Sequence, residues 1–227
     1  MRTRVKSTIL RIAVFCCAAS FNVEGAAAAG AKLPICIDVD ATDTVHKVFS
    51  VTEFIPLHDE TSITLLYPRW KIGSHAPTIS VADLAGLELR LSGKPLQWRR
   101  DPLNVNAFHV SIPRSASVLE AQFQYLSPLN GGVMTRNIVQ VQWEHLMLYP
   151  QSMGGNEIPV VARLRLPAGF HIASSLRVEQ ESGTVFDFRR CTLGELADAP
   201  VLAGRLMRDW LLSTGDARPY GMEYLRT

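Results

Sequence analysis

The sequence lacks most of the patterns that announce catalysis. Cysteine occurs only four times in 227 residues, and two of these, Cys16 and Cys17, fall in an apolar leader. The remaining pair, Cys36 and Cys191, is too small a set for a zinc ribbon. None of the six histidines stands in a His-Glu-x-x-His frame. His58 runs into Asp59 and Glu60, Tyr149 stands four residues after His145, and His46, His75, His109 and His171 have no partner at that spacing. The frame sets two ligands on one helix face with a general base between them, so its absence excludes a helix-borne zinc site. A Gly-x-Ser-x-Gly elbow is also missing. Ser74 sits between Gly73 and His75, but adjacent residues of an extended chain point apart, and turn capping is the better role for the hydroxyl. Gly131-Gly132 and Gly154-Gly155 read as turn glycines rather than a phosphate loop. No basic tract offers itself to nucleic acid, no apolar run is long enough to cross a bilayer, and there is no internal repeat.

The first thing present is a leader. Arg2, Arg4 and Lys6 form a positive start, Ile9 to Ala19 is apolar except for Arg11, and Gly25-Ala-Ala-Ala-Ala29 supplies small residues for cleavage. This is the pattern of a secretory signal over residues 1–29. It predicts an exported protein, periplasmic or secreted, with no membrane span once the leader is removed. The whole chain carries 23 Lys and Arg against 21 Asp and Glu. Removing the four basic residues of the leader and Glu24 leaves 19 against 20, so the slight basic excess belongs to the leader. In an oxidising compartment Cys36 and Cys191 either pair or remain two separate buried thiols. A bridge would close a long loop, worth on the order of 3–5 kcal/mol by chain entropy.

Residues 30–227 read as a single β domain. Hydrophobic residues make up 47% and charged residues 19%, enough for a packed core. Apolar residues recur with period two in Val45–Phe54, Thr61–Tyr67, Leu87–Leu91, Ala107–Ile112, Val118–Tyr125, Ile138–Trp143, Val160–Leu166 and Val185–Phe188. In the clearest run, Leu119, Ala121, Phe123 and Tyr125 share one face while Glu120, Gln122 and Gln124 share the other. Half-buried antiparallel strands account for this rhythm. The expectation is an all-β, mostly antiparallel sandwich or curved pair of sheets, with little helix beyond a turn at Leu193–Leu196. Pro200 and Gly204 interrupt any longer helix there.

The most informative stretch follows the second of these strands. Pro68 has no donor for a ladder, Trp70 brings a large apolar surface, Gly73 opens backbone angles closed to other residues, and Pro77 biases its predecessor towards extended geometry. From the residues alone this is a rigid loop, scaffolding rather than chemistry. Asp101 before Pro102 and Asp198 before Ala199-Pro200 read as turn formers, and Arg99 and Arg100 as weak surface partners of Asp101. Trp70, Trp98 and Trp143 read as core or loop anchors in preference to the lining of a binding cleft.

Those same residues carry a resemblance. Pro68-Arg-Trp70, Gly73-Ser-His75 and the following Ala-Pro-Thr, then Asp83-Leu-Ala-Gly-Leu87, resemble the opening signature of the first domain of glycyl-aminopeptidase-like zinc metallopeptidases, with Ile72 where that family has proline. Gly93-Lys-Pro with Trp98, Arg100, Asp101 and Pro102 is similar to its next segment. Trp143 with Leu148-Tyr-Pro150 is similar to its central strand, and Leu166-Pro-Ala-Gly-Phe170 to a further turn. Leu193-Gly-Glu-Leu-Ala-Asp-Ala-Pro-Val201, with Asp198, Pro200 and Gly204, resembles the segment that closes the domain. The matches are collinear and clearest over residues 45–210. The resemblance implies an N-terminal β domain that packs on a zinc-bearing catalytic domain and helps to wall its substrate cleft. The His-Glu-x-x-His helix of the family lies downstream of this segment and is not in this chain. The expectation is therefore a truncated gene product or a fragment of a longer protein, a domain with no catalytic residue, metal ligand or cofactor of its own, whose partner is a catalytic zinc-peptidase domain or a peptide. The alternatives are a stand-alone exported module that binds a peptide or protein, and one half of a split aminopeptidase.

Overall fold

The computed structural model describes residues 32–71, 73–74, 76–114, 116–128 and 134–208. The leader read at residues 1–29, along with Ile72, His75 and Gly131-Gly132, lies outside the described residues. Alternating apolar residues build a large sheet from β1 (Ile35–Asp43), β2 (Val48–Pro56), β4 (Leu84–Leu91), β5 (Lys94–Leu96), β8 (Val118–Leu126), β11 (Pro159–Arg165), β13 (Val178–Ser182), β14 (Val185–Phe188) and the short β15 (Cys191–Thr192). Its order is β13-β14-β11-β1-β2-β8-β4-β5, with β15 also pairing to β11. The spine is the β2–β8 ladder, in register from Val48 opposite Leu126 to Pro56 opposite Val118. Along it Phe49, Val51 and Ile55 of β2 and Leu119, Ala121, Phe123 and Tyr125 of β8 are buried, because period two puts them all on one side.

Two smaller sheets supply more of the same core. One runs β10 (Tyr149–Pro150), β3 (Ser62–Leu66), β7 (Ala107–Ser111), β6 (Trp98–Arg100); the other runs β12 (His171–Ala173), β16 (Val201–Gly204), β9 (Ile138–Val141). Their inward residues, Ile63, Leu65, Phe108, Val110, Val139, Val141, Val201 and Ala203, join one hydrophobic cluster with the large sheet. Among the described residues the one α-helix is α1 (Leu193–Ala197). Thr192 and Glu195 close a capping box at its start, which satisfies two otherwise orphaned donors.

The fold is all-β, as the rhythm predicts, with four differences. The core is enclosed by three sheets rather than two, and β1 runs parallel to β11. The first strand begins at Ile35, not near Val45. Ile35, Ile37, Val39 and Ala41 alternate inward, whereas Val45 lies 76% exposed in the turn between β1 and β2. Finally, β9 ends at Val141, and Trp143 opens a 3₁₀ turn, Trp143–His145. Trp143 keeps the inward position that its spacing implied, fully buried and edge-on to Phe188 at 5.7 Å.

The possible disulfide between Cys36 and Cys191 is not formed. Cys36 lies opposite Val161 and Cys191 opposite Val160, on strands that flank β11 on its two sides. Two strand spacings put them about 10 Å apart, beyond the roughly 7 Å that a bridge allows. Successive residues of β11 face opposite sides of the sheet, so the two thiols also point apart. Burial pushes the Cys191 thiol up to about 11, with Glu195 adding to the effect.

One charged side chain interrupts the apolar face. Glu53 of β2 is fully buried, and both its carboxyl oxygens accept from the Leu148 N–H at 3.0 Å. Burial pushes its pKa well above the usual carboxyl range, against the pull of that N–H. The contact ties the large sheet to the strand-poor segment that leads into β10.

Two outcomes follow from this packing. Alkylation of the unfolded, unreduced protein followed by mass spectrometry will label both Cys36 and Cys191; protection of the pair would show a bridge. Glu53→Gln, which keeps an acceptor for Leu148, will leave the thermal midpoint nearly unchanged, whereas Glu53→Ala will destabilise by about 2–4 kcal/mol through an orphaned N–H and a cavity. Because the folded-state pKa of Glu53 is raised, its contribution is complete below the unfolded value near 4.3 and is lost as pH rises through the folded value. The stability difference between wild type and Glu53→Gln, followed by denaturant unfolding, will shift against the wild type as pH climbs.

Candidate functional site

The strand β3 delivers the Pro68 loop to a cleft of about 450 Å³. Tyr67, just past the strand, is buried. Its N–H donates to the Asn106 carbonyl at 2.8 Å and its hydroxyl donates to the His145 carbonyl at 3.0 Å. Asn106 is itself buried, and its side-chain amide donates to the carbonyls of Tyr67 at 3.3 Å and Pro68 at 3.5 Å. The exit of β3 is thus fastened to the entry of β7 and to the Trp143 turn. Beyond it, the Ile79 N–H donates to the Arg69 carbonyl at 3.1 Å and closes the loop. Gly73 takes a φ of 78°, and the Ser74 N–H donates to the Lys71 carbonyl at 3.0 Å, so the turn is built as the residue types imply.

Three other segments complete the cleft: Glu144 to Tyr149, the turn at Gly155–Glu157, and the face of α1 with Gly194, Ala197 and Asp198. Gly194 packs closely there: a Cβ at that position would lie 3.2 Å from the Cβ and 3.3 Å from the carbonyl of Asn156, so a side chain would need Asn156 to give by a few tenths of an ångström. Arg69 and Lys71 supply positive charge, and Glu144 and Asp198 supply negative charge. Trp70 stands 55% exposed on the rim. Glu144 is almost fully buried, and burial holds its carboxyl above the ordinary range while its own N–H and Lys71 pull it back. Beneath it His145 lies against Tyr125, ring centroids 4.9 Å apart. Burial, with Lys71 adding to it, pushes that imidazole down to about 4, so it is neutral at pH 7. Burial likewise raises Tyr149.

The residues singled out from sequence separate into two groups. Pro68, Trp70 and Asp198 line the cleft, and Gly73 and Ser74 shape the loop beside it. The rest brace the frame. The Trp98 indole donates to the Leu87 carbonyl at 3.2 Å and packs edge-on to Phe108 at 5.3 Å. Arg100 does not pair with Asp101; it lies over the Phe108 ring at 5.3 Å. Asp101, in the turn that includes Pro102, accepts from the Leu103 and Asn104 N–H groups, both at 2.8 Å. The Pro200 carbonyl accepts from the Ser174 hydroxyl at 3.1 Å, and Gly204 pairs between His171 and Ile138. His75 lies outside the described residues. Sequence reasoning passed over Glu53, Asn106, Glu144 and Gly194. Asn106 and Gly194 had no periodic signal, and Glu53 and Glu144 sat in runs where a charged residue reads as solvent-facing.

These side chains do not suit a zinc ion. Among the described residues no three His, Cys, Asp or Glu side chains come together in a group able to hold a metal. His109 has both ring nitrogens engaged, by Thr64 and Asp101, and His145 is buried against Tyr125 away from any such group.

Comparison with known proteins agrees with the architecture. The sequence model of the Peptidase M61 N-terminal domain matches residues 37–205. A search of curated proteins gives no match. Among solved structures, the fold is similar to that of an aminopeptidase N family protein from Idiomarina loihiensis, with a TM-score of 0.65 and 17% identity over 78% of this chain. It is also similar to leukotriene A4 hydrolase from Saccharomyces cerevisiae, with a TM-score of 0.51 and 11% identity over 81% of this chain. The chain spans 30% of the length of each. With the family pattern covering most of its length and the same fold in these structures, the chain belongs to the peptidase M61 N-terminal domain family.

Proposed function

We propose that this chain walls the substrate cleft of a zinc aminopeptidase and has no peptidase activity of its own, with the metal-bearing part supplied by a further domain or by another chain. The observation that carries this reading is the convergence of four separated segments on one charged, aromatic-rimmed cleft. Three of them, the Pro68 loop, the approach to Tyr149 and the helix before Asp198, are also the segments that carry the family signature. A loop that only braced the core would not require Trp70 to stand exposed on a rim. Concave sites lined by a few convergent polar groups are where ligands and partner elements seat. The donor chemistry for zinc-assisted hydrolysis, three protein ligands around an open position, is not met among the described residues. We further infer that the protein works outside the cytoplasm, on the strength of the leader pattern at residues 1–29.

The purified chain, supplied with zinc, will release no chromophore from glycyl- or alanyl-p-nitroanilide above a heat-denatured control. Chelator-sensitive release by this chain alone would contradict the proposal. A photo-crosslinking residue placed at position 70 and activated in the producing cell will capture a polypeptide carrying a His-Glu-x-x-His helix, identified by mass spectrometry. Crosslinks confined to other proteins would count against the wall reading.

A further inference from the structure

The outer face of the sheet β10-β3-β7-β6 carries a second constellation, which shares no lining residue with the cleft. Thr64 of β3 stands directly opposite His109 of β7, and His109 stands directly opposite Arg99 of β6. Opposed residues of neighbouring strands share a face, so the three side chains form a row across the sheet. Asp101, one residue beyond β6, reaches the far nitrogen of the histidine. Its Oδ2 lies 2.8 Å from His109 Nε2, and His109 Nδ1 lies 3.0 Å from Thr64 Oγ1.

The chemistry of the carboxylate end favours one tautomer. The Asp101 carboxyl is held down to about 2, first by His109 and then by the Asn104 and Leu103 N–H groups, so it is an acceptor only. Nε2 must then carry the proton. In the tautomer with its proton on Nε2 alone, Nδ1 is an acceptor and the Thr64 hydroxyl is placed to donate to it. A hydroxyl bonded to a base, whose tautomer is fixed by a carboxylate, is the arrangement that activates a nucleophile. The row opens on a cavity of about 320 Å³ that Thr64, His109 and Arg99 line together with Ser62 and Ser111. Among the described residues Arg99 makes no ion pair, so its guanidinium is available to a developing oxyanion.

We propose that Thr64, His109 and Asp101 form an acyl-transfer site that takes small carboxylic esters, with Arg99 as the oxyanion partner. Thr64 Oγ1 bonds to the ester carbonyl carbon as its proton passes to His109 Nδ1. The tetrahedral adduct collapses, the carbon–oxygen bond to the alcohol breaks, and His109 returns the proton to the departing oxygen. Water then attacks the acyl-threonine with His109 as base, releasing the carboxylic acid and restoring the Thr64 hydroxyl.

The test uses the full chain with p-nitrophenyl acetate. A burst of p-nitrophenol will accompany a mass gain of one acetyl group, mapped by peptide mass spectrometry to the peptide containing Thr64. Thr64→Val, which keeps the β-branched shape in the strand, will abolish both burst and label at an unchanged thermal midpoint, and Thr64→Ser will keep them. His109→Gln will slow the burst by about a hundredfold, the usual contribution of a positioned general base, and Arg99→Gln will slow it with little change in fold. A burst in Thr64→Val equal to that of wild type, or acetylation found on lysines alone, would overturn the assignment.

Discussion

Everything in this domain is hung on the register between β2 and β8. Nine residues of each strand pair without a break, and with a side-chain period of two a slip of β8 by one residue would turn Leu119, Ala121, Phe123 and Tyr125 out to water together. The hydrophobic term alone sets that choice, at roughly 25 cal/mol for each Å² of apolar surface kept from water. The neighbours β1, β11 and β4 then inherit their facing from this pair, and the two smaller sheets close over the apolar side so defined. Glu53 is the exception inside that register. A carboxyl sitting where an aliphatic residue would serve the core better is tolerated because it meets the one backbone N–H of the covering layer that comes within its reach.

From this frame the cleft follows by fastening rather than by any continuous element. Its walls come from segments separated by over a hundred residues of chain, and each is held by a small number of polar contacts to the core. Asn106 and Tyr67 clamp the Pro68 loop, Glu53 holds Leu148, and the absent side chain of Gly194 lets α1 settle on Asn156. These contacts are buried or partly buried, which limits their loss to solvent screening. They leave the side chains of Trp70, Lys71 and Asp198 exposed at the cleft, while the backbones of Lys71 and Asp198 close the loop and cap α1. A membership in the peptidase M61 N-terminal domain family fits such a division between a braced frame and an unencumbered rim.

The sequence was legible where a physical period governs it. The facing of β8, β11 and β14 could be read residue by residue, because each has one wet and one dry side. The same rule would have found β1, whose Ile35, Ile37, Val39 and Ala41 alternate as cleanly; it was obscured by Val45, an apolar residue that a turn leaves in solvent. The parallel pairing of β1 with β11 had no local signature, since partner choice across more than a hundred residues depends on the closed core. The cleft was half legible. Pro68, Trp70 and Asp198 stood out by type, while Asn106, Glu144 and Glu53 act only through partners distant in sequence. The choice between a Cys36–Cys191 bridge and two separate thiols stayed open in the sequence for a similar reason, because which face each thiol occupies is decided by the register of β11.

The central claim is that the cleft is a prebuilt wall, assembled and held by this chain alone. Native-state hydrogen exchange monitored by mass spectrometry tests it most directly. The account predicts that the amides at residues 67–70, 106–108, 146–149 and 194–198 exchange slowly and, as denaturant is raised, open together with the β2–β8 ladder at one free energy. Fast, independent opening of these four segments while β2 and β8 stay protected would contradict it.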